Sequence, residues 1–227
     1  VVLAALPAFA HDPEARVHAF CHAVPNGWQA MGVMLAAAGS LAWLRDVAAP
    51  GLGFDELLAE AERWPPGAEG LLFAPYLAGE RTPHADPDAR GAFTGLSLRH
   101  DRGALARAVL EGVAFGLRDS LALLRELGGE PTAGRASGGG ARSALWRRVV
   151  ASALRLPIEL TVSEEGSAFG AALLGGVAAG AFDTCPDAVE RCVRVREVVE
   201  PDPAWADAYD EAYPRFRALY PALAALH

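Results

Sequence analysis

The sequence predicts an α/β fold, in which helices pack on the faces of β-sheets. Two observations carry this prediction. Segments with strand-like alternation take turns with segments of helical spacing along the 227 residues, and hydrophobic residues make up 52% of the chain against 21% charged residues. A chain of this length and composition can bury a substantial core, so intrinsic disorder is not expected.

The first half of the chain shows this alternation clearly. Residues 17–24, VHAFCHAV, alternate and end at a proline, which predicts a strand. Helical spacing predicts a helix over 28–47, and a shorter helix over 55–63 that stops at two prolines. The apolar segment 70–77 predicts a buried strand. It leads into a polar loop, 78–91, without periodicity, and loops of this length usually have a function.

The second half opens with the clearest element, a long amphipathic helix. Asp101 can cap its start, and Gly128 with Gly129 can end it. The glycine- and alanine-rich segment 165–180 predicts a helix that packs very close to a neighbour, with Glu164 and Glu165 at its positive end. Further strands are predicted at 133–137, 157–162 and 194–200, and further helices at 142–154 and 205–223.

The basic residues exclude several classes of protein. All twenty are arginine, and the chain has no lysine. P-loop nucleoside triphosphatases, protein kinases and Schiff-base enzymes each need a lysine at the reacting centre, so all three are excluded. The net charge of −8 argues against a nucleic-acid partner. No apolar run is long enough to cross a membrane, so no membrane partner is expected either.

The cysteines and the first residues bear on location. Three cysteines at unpatterned spacing predict neither a disulfide framework nor a zinc site, which favours a cytoplasmic protein. The opening, VVLAALPAFAHD, is apolar, but it has no basic segment and no initiator methionine. It therefore favours a piece of a longer protein over the remnant of a secretory signal.

Two pairs of side chains could hold a metal ion. His18 and His22 would share one face of a helix, but on a strand they lie roughly 13 Å apart at about 3.3 Å per residue. A structural role is therefore favoured. Asp86 and Asp88 could face Mg²⁺, but they flank a proline, so a solvated turn is favoured. No metal ligand is assigned.

One acidic residue could serve as a general base. Glu111 lies within the long apolar helix, which is unusual for a carboxylate. Arg107 precedes it by one turn and can pair with it, so a structural ion pair is favoured. No catalytic residue is assigned within this chain.

A triple glycine is the most unusual local feature. Gly138, Gly139 and Gly140 lie between a predicted strand and the start of a predicted helix. Backbone N–H groups point outward at such a junction, and the missing Cβ atoms let a flat or anionic ligand approach the main chain. The alternative, a flexible linker, requires independently folding units on both sides. The neighbouring elements are too small for that, so a ligand-contacting turn is favoured.

Five strings resemble one family. In order they are VHAFCHAVPNGWQAMGV, AAGSLAWLRD, PYLAGERTPHADPDARGAFTGL, ARAVLEGVAFGLRD and SGGGARSALWRRVVASAL. Together they resemble the C-terminal half of the FGGY carbohydrate kinases, over nearly the whole chain. The resemblance implies a ribonuclease H-like (actin-like) lobe over 1–227. Sugar and ATP would bind between this lobe and an N-terminal lobe, with Mg²⁺ held mainly through the ATP phosphates.

The resemblance also implies a nucleotide site. It would include Gly39, Trp43, the triple glycine and Ala144. Glycerol-kinase relatives have a glutamine where Trp43 stands and an asparagine where Ala144 stands. Recognition of the base is therefore expected to rely on the backbone and on stacking.

The catalytic aspartate of the family is expected outside this chain. In the family it precedes a Gly-Thr-Ser-Gly phosphate loop, and both come before the region that resembles Val1 onward. The chain alone is therefore expected to be inactive. The strings are most similar to family members that act on xylulose, with ribulose, gluconate or glycerol as alternatives. A non-catalytic binding or dimerisation module, using 102–127 and 203–223, is the other interpretation, and a homodimer remains open.

Overall fold

The computed structural model describes residues 1–163 and 166–226 and has mixed α/β architecture, as predicted. Two of its small sheets pack against one long helix. The strands are β1 (Val2–Leu6), β2 (His18–Cys21), β3 (Trp28–Gly32), β4 (Leu72–Ala74), β5 (Ala92–Thr94), β6 (Gly134–Arg135), β7 (Ile158–Thr161) and β8 (Val195–Val199). The helices are α1 (Ala37–Ala48), α2 (Phe54–Glu62), α3 (Arg102–Glu126), α4 (Ala144–Leu154), α5 (Gly166–Ala178), α6 (Cys185–Cys192), α7 (Pro203–Arg217) and α8 (Leu219–Ala224).

The strands pair in three groups over the described residues. An antiparallel sheet has the order β1-β3-β2, and β4 pairs with β5. In the third sheet β6 and β7 run parallel, and β8 is antiparallel to β7. The carboxyl ends of β6 and β7 therefore lie at the same edge, where α/β proteins commonly bind ligands.

Helix α3 forms the centre of the molecule, and its prediction is confirmed. The Asp101 carboxylate accepts a hydrogen bond from the backbone N–H of Ala104 at 3.0 Å, and Gly128 ends the helix with φ of 89°. The helix packs against α1, α2 and α4, and most of its residues are buried. Burial within the domain therefore leaves little of 102–127 exposed for the interface of the module interpretation.

The predicted helix over 28–47 is wrong over residues 28–36. Residues Trp28–Gly32 form β3, which pairs on one side with β1 and on the other with β2. A turn leads into it, with the His22 N–H bonded to the carbonyl of Gly27 and with Asn26 at φ of 62°. Pairing on both edges outweighs the helical spacing, and the helix begins only at Ala37.

Arg107 and Glu111 form the expected ion pair. Arg107 Nε and Glu111 Oε1 lie 2.6 Å apart, and both side chains are buried. Arg107 also donates to the Tyr209 hydroxyl at 2.9 Å, and Glu111 accepts the Gly67 N–H at 3.0 Å. The guanidinium lies 4.2 Å from the Trp205 ring. These contacts connect α3 to α7 and to the residues after α2, so the pair is structural.

The loop over 78–91 is held by backbone and side-chain contacts. The backbones of Glu80 and Asp86 exchange two hydrogen bonds of 2.8 Å. One carboxylate oxygen of Asp86 accepts the Asp88 N–H, and the other accepts the Tyr220 hydroxyl at 3.0 Å. His84 stacks on the Tyr220 ring at 3.5 Å. Asp86 therefore organises a turn and fixes α8 to the loop, as the turn interpretation predicted.

Glu80 is a buried acid that the sequence did not single out. Glu80 is only 2% exposed. Its Oε1 accepts hydrogen bonds from the backbone N–H groups of Leu35 at 3.1 Å and Arg81 at 2.8 Å. Oε2 has no hydrogen-bond partner among the described residues. Burial raises the pKa of this carboxyl to about 7, against the two N–H groups, which lower it.

His18 and His22 make hydrogen bonds within the fold. His22 Nδ1 accepts the Val24 N–H at 2.9 Å, and His18 Nε2 lies 3.2 Å from Arg81 Nε. Cys21, Cys185 and Cys192 are free.

No helix in the described part of the chain is long and apolar enough to span a bilayer.

Candidate functional site

A cavity of about 270 Å³ lies at the carboxyl ends of β6 and β7. Its floor is the turn that follows β6, and its walls come from the end of β7 and from β8. Backbone N–H groups, hydroxyls and guanidinium groups surround it, a set suited to an anionic or hydroxyl-rich ligand. The lining residues are Ala136, Ser137, Gly138, Gly139, Ala141, Arg142, Leu160, Thr161, Ser163 and Arg196.

The three glycines of the turn differ in what the fold requires of them. Gly138 has φ of 89°, a conformation that favours glycine. A Cβ on Gly140 would lie 3.1 Å from the Trp146 ring, so packing explains that glycine. A Cβ on Gly139 would meet nothing within 4 Å. Gly139 lines the cavity, and no steric contact in the described structure requires a glycine there.

The turn continues directly into α4. Residues Gly139–Arg142 form one 3-10 turn, and the Ser143 hydroxyl then accepts the Trp146 N–H at 3.1 Å. This cap fixes the first turn of α4 beside the cavity. The predicted junction of strand, glycines and helix start is therefore present, and the turn is ordered by hydrogen bonds rather than acting as a linker.

The other predicted site residues lie on helix surfaces. Gly39 is exposed near the start of α1, and a Cβ there would meet nothing within 4 Å. Trp43, one turn later, is 38% exposed, and its ring stacks on Phe73 at 6.3 Å. Ala144 is the exposed first residue of α4. Of the six predicted residues, only Gly138 and Gly139 are among the described residues that line the cavity.

Several lining residues were not predicted. Ser137 is adjacent to the glycines, but the others are distant in sequence. Thr161 is the last residue of β7, Ser163 follows that strand, and Arg196 lies on β8. The signal was available, because two predicted strands flank the helix over 142–154. Parallel strands joined by a helix bring their carboxyl ends together, which would have placed residues 161–163 beside the glycines.

The cavity can bind a ligand but has little means to move a proton. None of its described lining residues is a carboxylate or a histidine. Across residues 1–163 and 166–226, no three histidine, cysteine or acidic side chains cluster as metal ligands. Glu164 and Glu165, expected at the start of α5, lie outside the described residues.

Comparison with known proteins gives the relatives of the chain. A model of the C-terminal domain of the FGGY family of carbohydrate kinases matches residues 7–179. The chain is 41% identical to a xylulose kinase from Staphylococcus epidermidis, over 91% of this chain and 42% of the relative. A solved xylulose kinase from Rhodospirillum rubrum superposes with a TM-score of 0.88 at 39% identity, over 99% of this chain and 45% of that one.

Two further findings define what these similarities show: the share of each relative that the chain covers, and a relative with a different substrate in its name. The chain spans less than half the length of the relatives it matches. It is also 39% identical to a gluconokinase from Bacillus licheniformis, over 76% of this chain. The likeness therefore establishes the family and its actin-like fold without choosing a sugar. The chain belongs to the FGGY family of carbohydrate kinases and contains the family's C-terminal domain.

Proposed function

We propose that this chain is the ATP-binding lobe of a xylulose kinase, covering residues 1–227 as one domain. The whole enzyme would transfer the γ-phosphate of ATP to the 5-hydroxyl of D-xylulose. The observation that carries the proposal is Gly139, which lines the cavity and lacks a side chain for no reason internal to the fold. The similarity to xylulose kinases supports the choice of reaction.

In this proposal the chain binds and orients the nucleotide. The backbone of the glycine turn contacts ATP directly, and the hydroxyls of Ser137, Thr161 and Ser163 are available to ribose or phosphate oxygens. Gly39, Trp43 and Ala144 complete the site from α1 and α4, with the Trp43 ring offering a surface for stacking. Gly140 supports the turn through Trp146.

Magnesium fits this site only through the nucleotide. The cavity offers no described carboxylate, the ligand that Mg²⁺ prefers in proteins, so the ion would be held by ATP phosphates and by the other lobe. When bound, Mg²⁺ would neutralise charge on the phosphates. This chain contributes the nucleotide's position and no general base.

The aspartate that deprotonates the sugar hydroxyl belongs, in this proposal, to the N-terminal lobe, together with most of the sugar site. The chain alone therefore phosphorylates no sugar. Gluconate is the second candidate substrate, because a gluconokinase is nearly as similar as the xylulose kinases. Neither nucleic acid nor membrane is expected as a partner, and the proposed location is the cytoplasm.

The test is a calorimetric titration of Mg-ADP into the chain and two variants. Gly139→Val places a branched side chain in the cavity, whereas Gly170→Val makes the same change at an open position on α5. Saturable binding in the parent chain and in Gly170→Val, but not in Gly139→Val, supports the proposal. Equal binding by all three would show that the turn does not contact the nucleotide.

A further inference from the structure

Arg196 interrupts the pairing of β8 with β7. Leu160 of β7 pairs with Glu197 of β8. The next residue, Thr161, pairs with Val195, which makes Arg196 an extra residue in β8. Such an extra residue is a β-bulge, and bulges redirect a side chain and are common beside binding sites. Here the bulged residue is one of those that line the candidate nucleotide cavity.

Arg147 on α4 fixes this bulge to the glycine turn. Its guanidinium donates a hydrogen bond to the carbonyl of Ala141, in the turn, at 3.2 Å. It also donates to the carboxylate of Glu197, the residue after Arg196, at 3.3 Å. The Arg147 side chain is only 14% exposed, so these bonds are largely shielded from water. The bulge and the turn that contains Gly139 are therefore held together around the cavity.

The described lining of the cavity is positively charged. Arg142 contributes to it from the glycine turn and Arg196 from β8, and none of the described lining residues is acidic. A guanidinium group stays protonated and presents parallel N–H donors that match the oxygens of a phosphate. In a nucleotide the base is uncharged, and the phosphates carry the negative charge that complements such a lining.

Arg196 lies beyond the region that the family model matches. That match covers residues 7–179, whereas β8 begins at Val195. The glycine turn, at 138–140, falls within it. Membership of the family therefore gives the turn a context but assigns nothing to Arg196, whose role has to be read from the bulge and the cavity.

Resting on the proposed function, we infer that Arg196 binds the phosphate chain of the nucleotide and makes the site prefer nucleoside diphosphates and triphosphates to nucleosides. The glycine turn offers backbone N–H groups from one side of the cavity, and Arg196 offers its guanidinium donors from β8. Arg196 is thus a specificity-determining residue for the phosphorylated ligand, while the base is bound by other parts of the site.

Calorimetric titration with Mg-ADP and with adenosine, which has no phosphates, tests the inference. The proteins are the parent chain, Arg196→Ala, Arg196→Lys and Arg194→Ala, each checked for folding by circular dichroism. Arg194 is the matched control, because it lies two residues away and carries the same charge. Its guanidinium donates to the carbonyls of Glu190 and Val193, at the end of α6, and it does not line the cavity.

We expect Arg196→Ala to weaken Mg-ADP binding about tenfold or more, the usual effect of losing a charged hydrogen bond, and to leave adenosine binding unchanged. Arg196→Lys should recover part of the loss, since lysine restores the charge but not the paired donors. Arg194→Ala should bind both ligands as the parent does. An equal loss for both ligands overturns the inference, because Arg196 would then contact the base or ribose or only support the cavity. The same loss in Arg194→Ala also overturns it, since net charge would explain the effect.

Two results separate this inference from the proposed function. If the parent binds Mg-ADP, Gly139→Val does not, and Arg196→Ala binds like the parent, the function stands and the inference is overturned. If the parent binds no Mg-ADP, the proposed function is overturned. The inference is then decided by phenylglyoxal modification of the parent, read by mass spectrometry. Slower modification of Arg196, but not of Arg194, in the presence of pyrophosphate supports its phosphate contact, and equal rates with and without pyrophosphate overturn it.

Discussion

Replacing Glu80 with glutamine should change how the stability of this chain depends on pH. Burial raises the pKa of the Glu80 carboxyl from 4.5 to about 7. The folded state therefore holds the proton more tightly than the unfolded state. Stability from this group is fully present below pH 4.5 and is lost as the pH rises through 7.

The magnitude comes from the difference between these two pKa values. Each pKa unit corresponds to about 1.4 kcal/mol, so ionising Glu80 in place costs about 3 kcal/mol above pH 7. Glutamine keeps an oxygen for the N–H groups of Leu35 and Arg81 but cannot ionise. The free energy of unfolding of Glu80→Gln relative to the parent should therefore rise by about 3 kcal/mol between pH 4.5 and 8.

Urea unfolding followed by circular dichroism, at half-unit pH steps, measures this difference. Glu130→Gln, at an exposed position after α3, is the control for the exchange of a carboxylate for an amide. A fixed cost of the buried amide would displace the Glu80→Gln curve without changing its slope. Parent and Glu80→Gln curves that stay parallel from pH 4.5 to 8 would refute the reasoning.

Three further substitutions test the site and the fold. Gly39→Ala should stabilise the chain by about 0.5–1 kcal/mol in urea unfolding, because alanine favours the helix, and should weaken Mg-ADP binding by calorimetry; unchanged binding would remove Gly39 from the site. Asp101→Ala removes the cap of α3 and the 2.7 Å bond to Trp64, and should lower the unfolding free energy by about 1–2 kcal/mol; Asp101→Asn should recover most of it. Trp205→Ala should cost about 3 kcal/mol or more, because the indole lies between the guanidinium groups of Arg107 and Arg148; a loss below 1 kcal/mol would mean that this packing contributes little.

The elements that could be predicted are those whose signals are local. α3 has its cap, its apolar spacing and its terminal glycine within one segment, so its limits were predicted within a residue or two. β3 was mistaken for helix because its pairing with β1 and β2 is a property of distant residues. β5 has three residues and depends on β4 for its existence. α6 was missed although Thr184 caps it and a proline opens it.

The residues of the candidate site also differ in whether a local sequence signal identifies them. Gly139 was found because three consecutive glycines before a helix are unusual in any sequence. Arg196 reaches the cavity only because β8 pairs with β7. The sequence contains both strands but does not show which residues of them face one another. Glu80 was missed because the environment that raises its pKa comes from burial, and Leu35 reaches it only in the folded chain.

Strand β1 has a consequence for handling the protein at high concentration. It is the edge of its sheet, with β3 on one side and no strand on the other among the described residues. Its sequence, VLAAL, has no charge and no proline, the features that usually keep exposed edges from pairing, and Leu3 is 56% exposed. In solution this edge offers free backbone groups to the same edge of another molecule. We therefore expect pairing between β1 edges to limit the solubility of the isolated chain, and Leu3→Lys to raise that solubility.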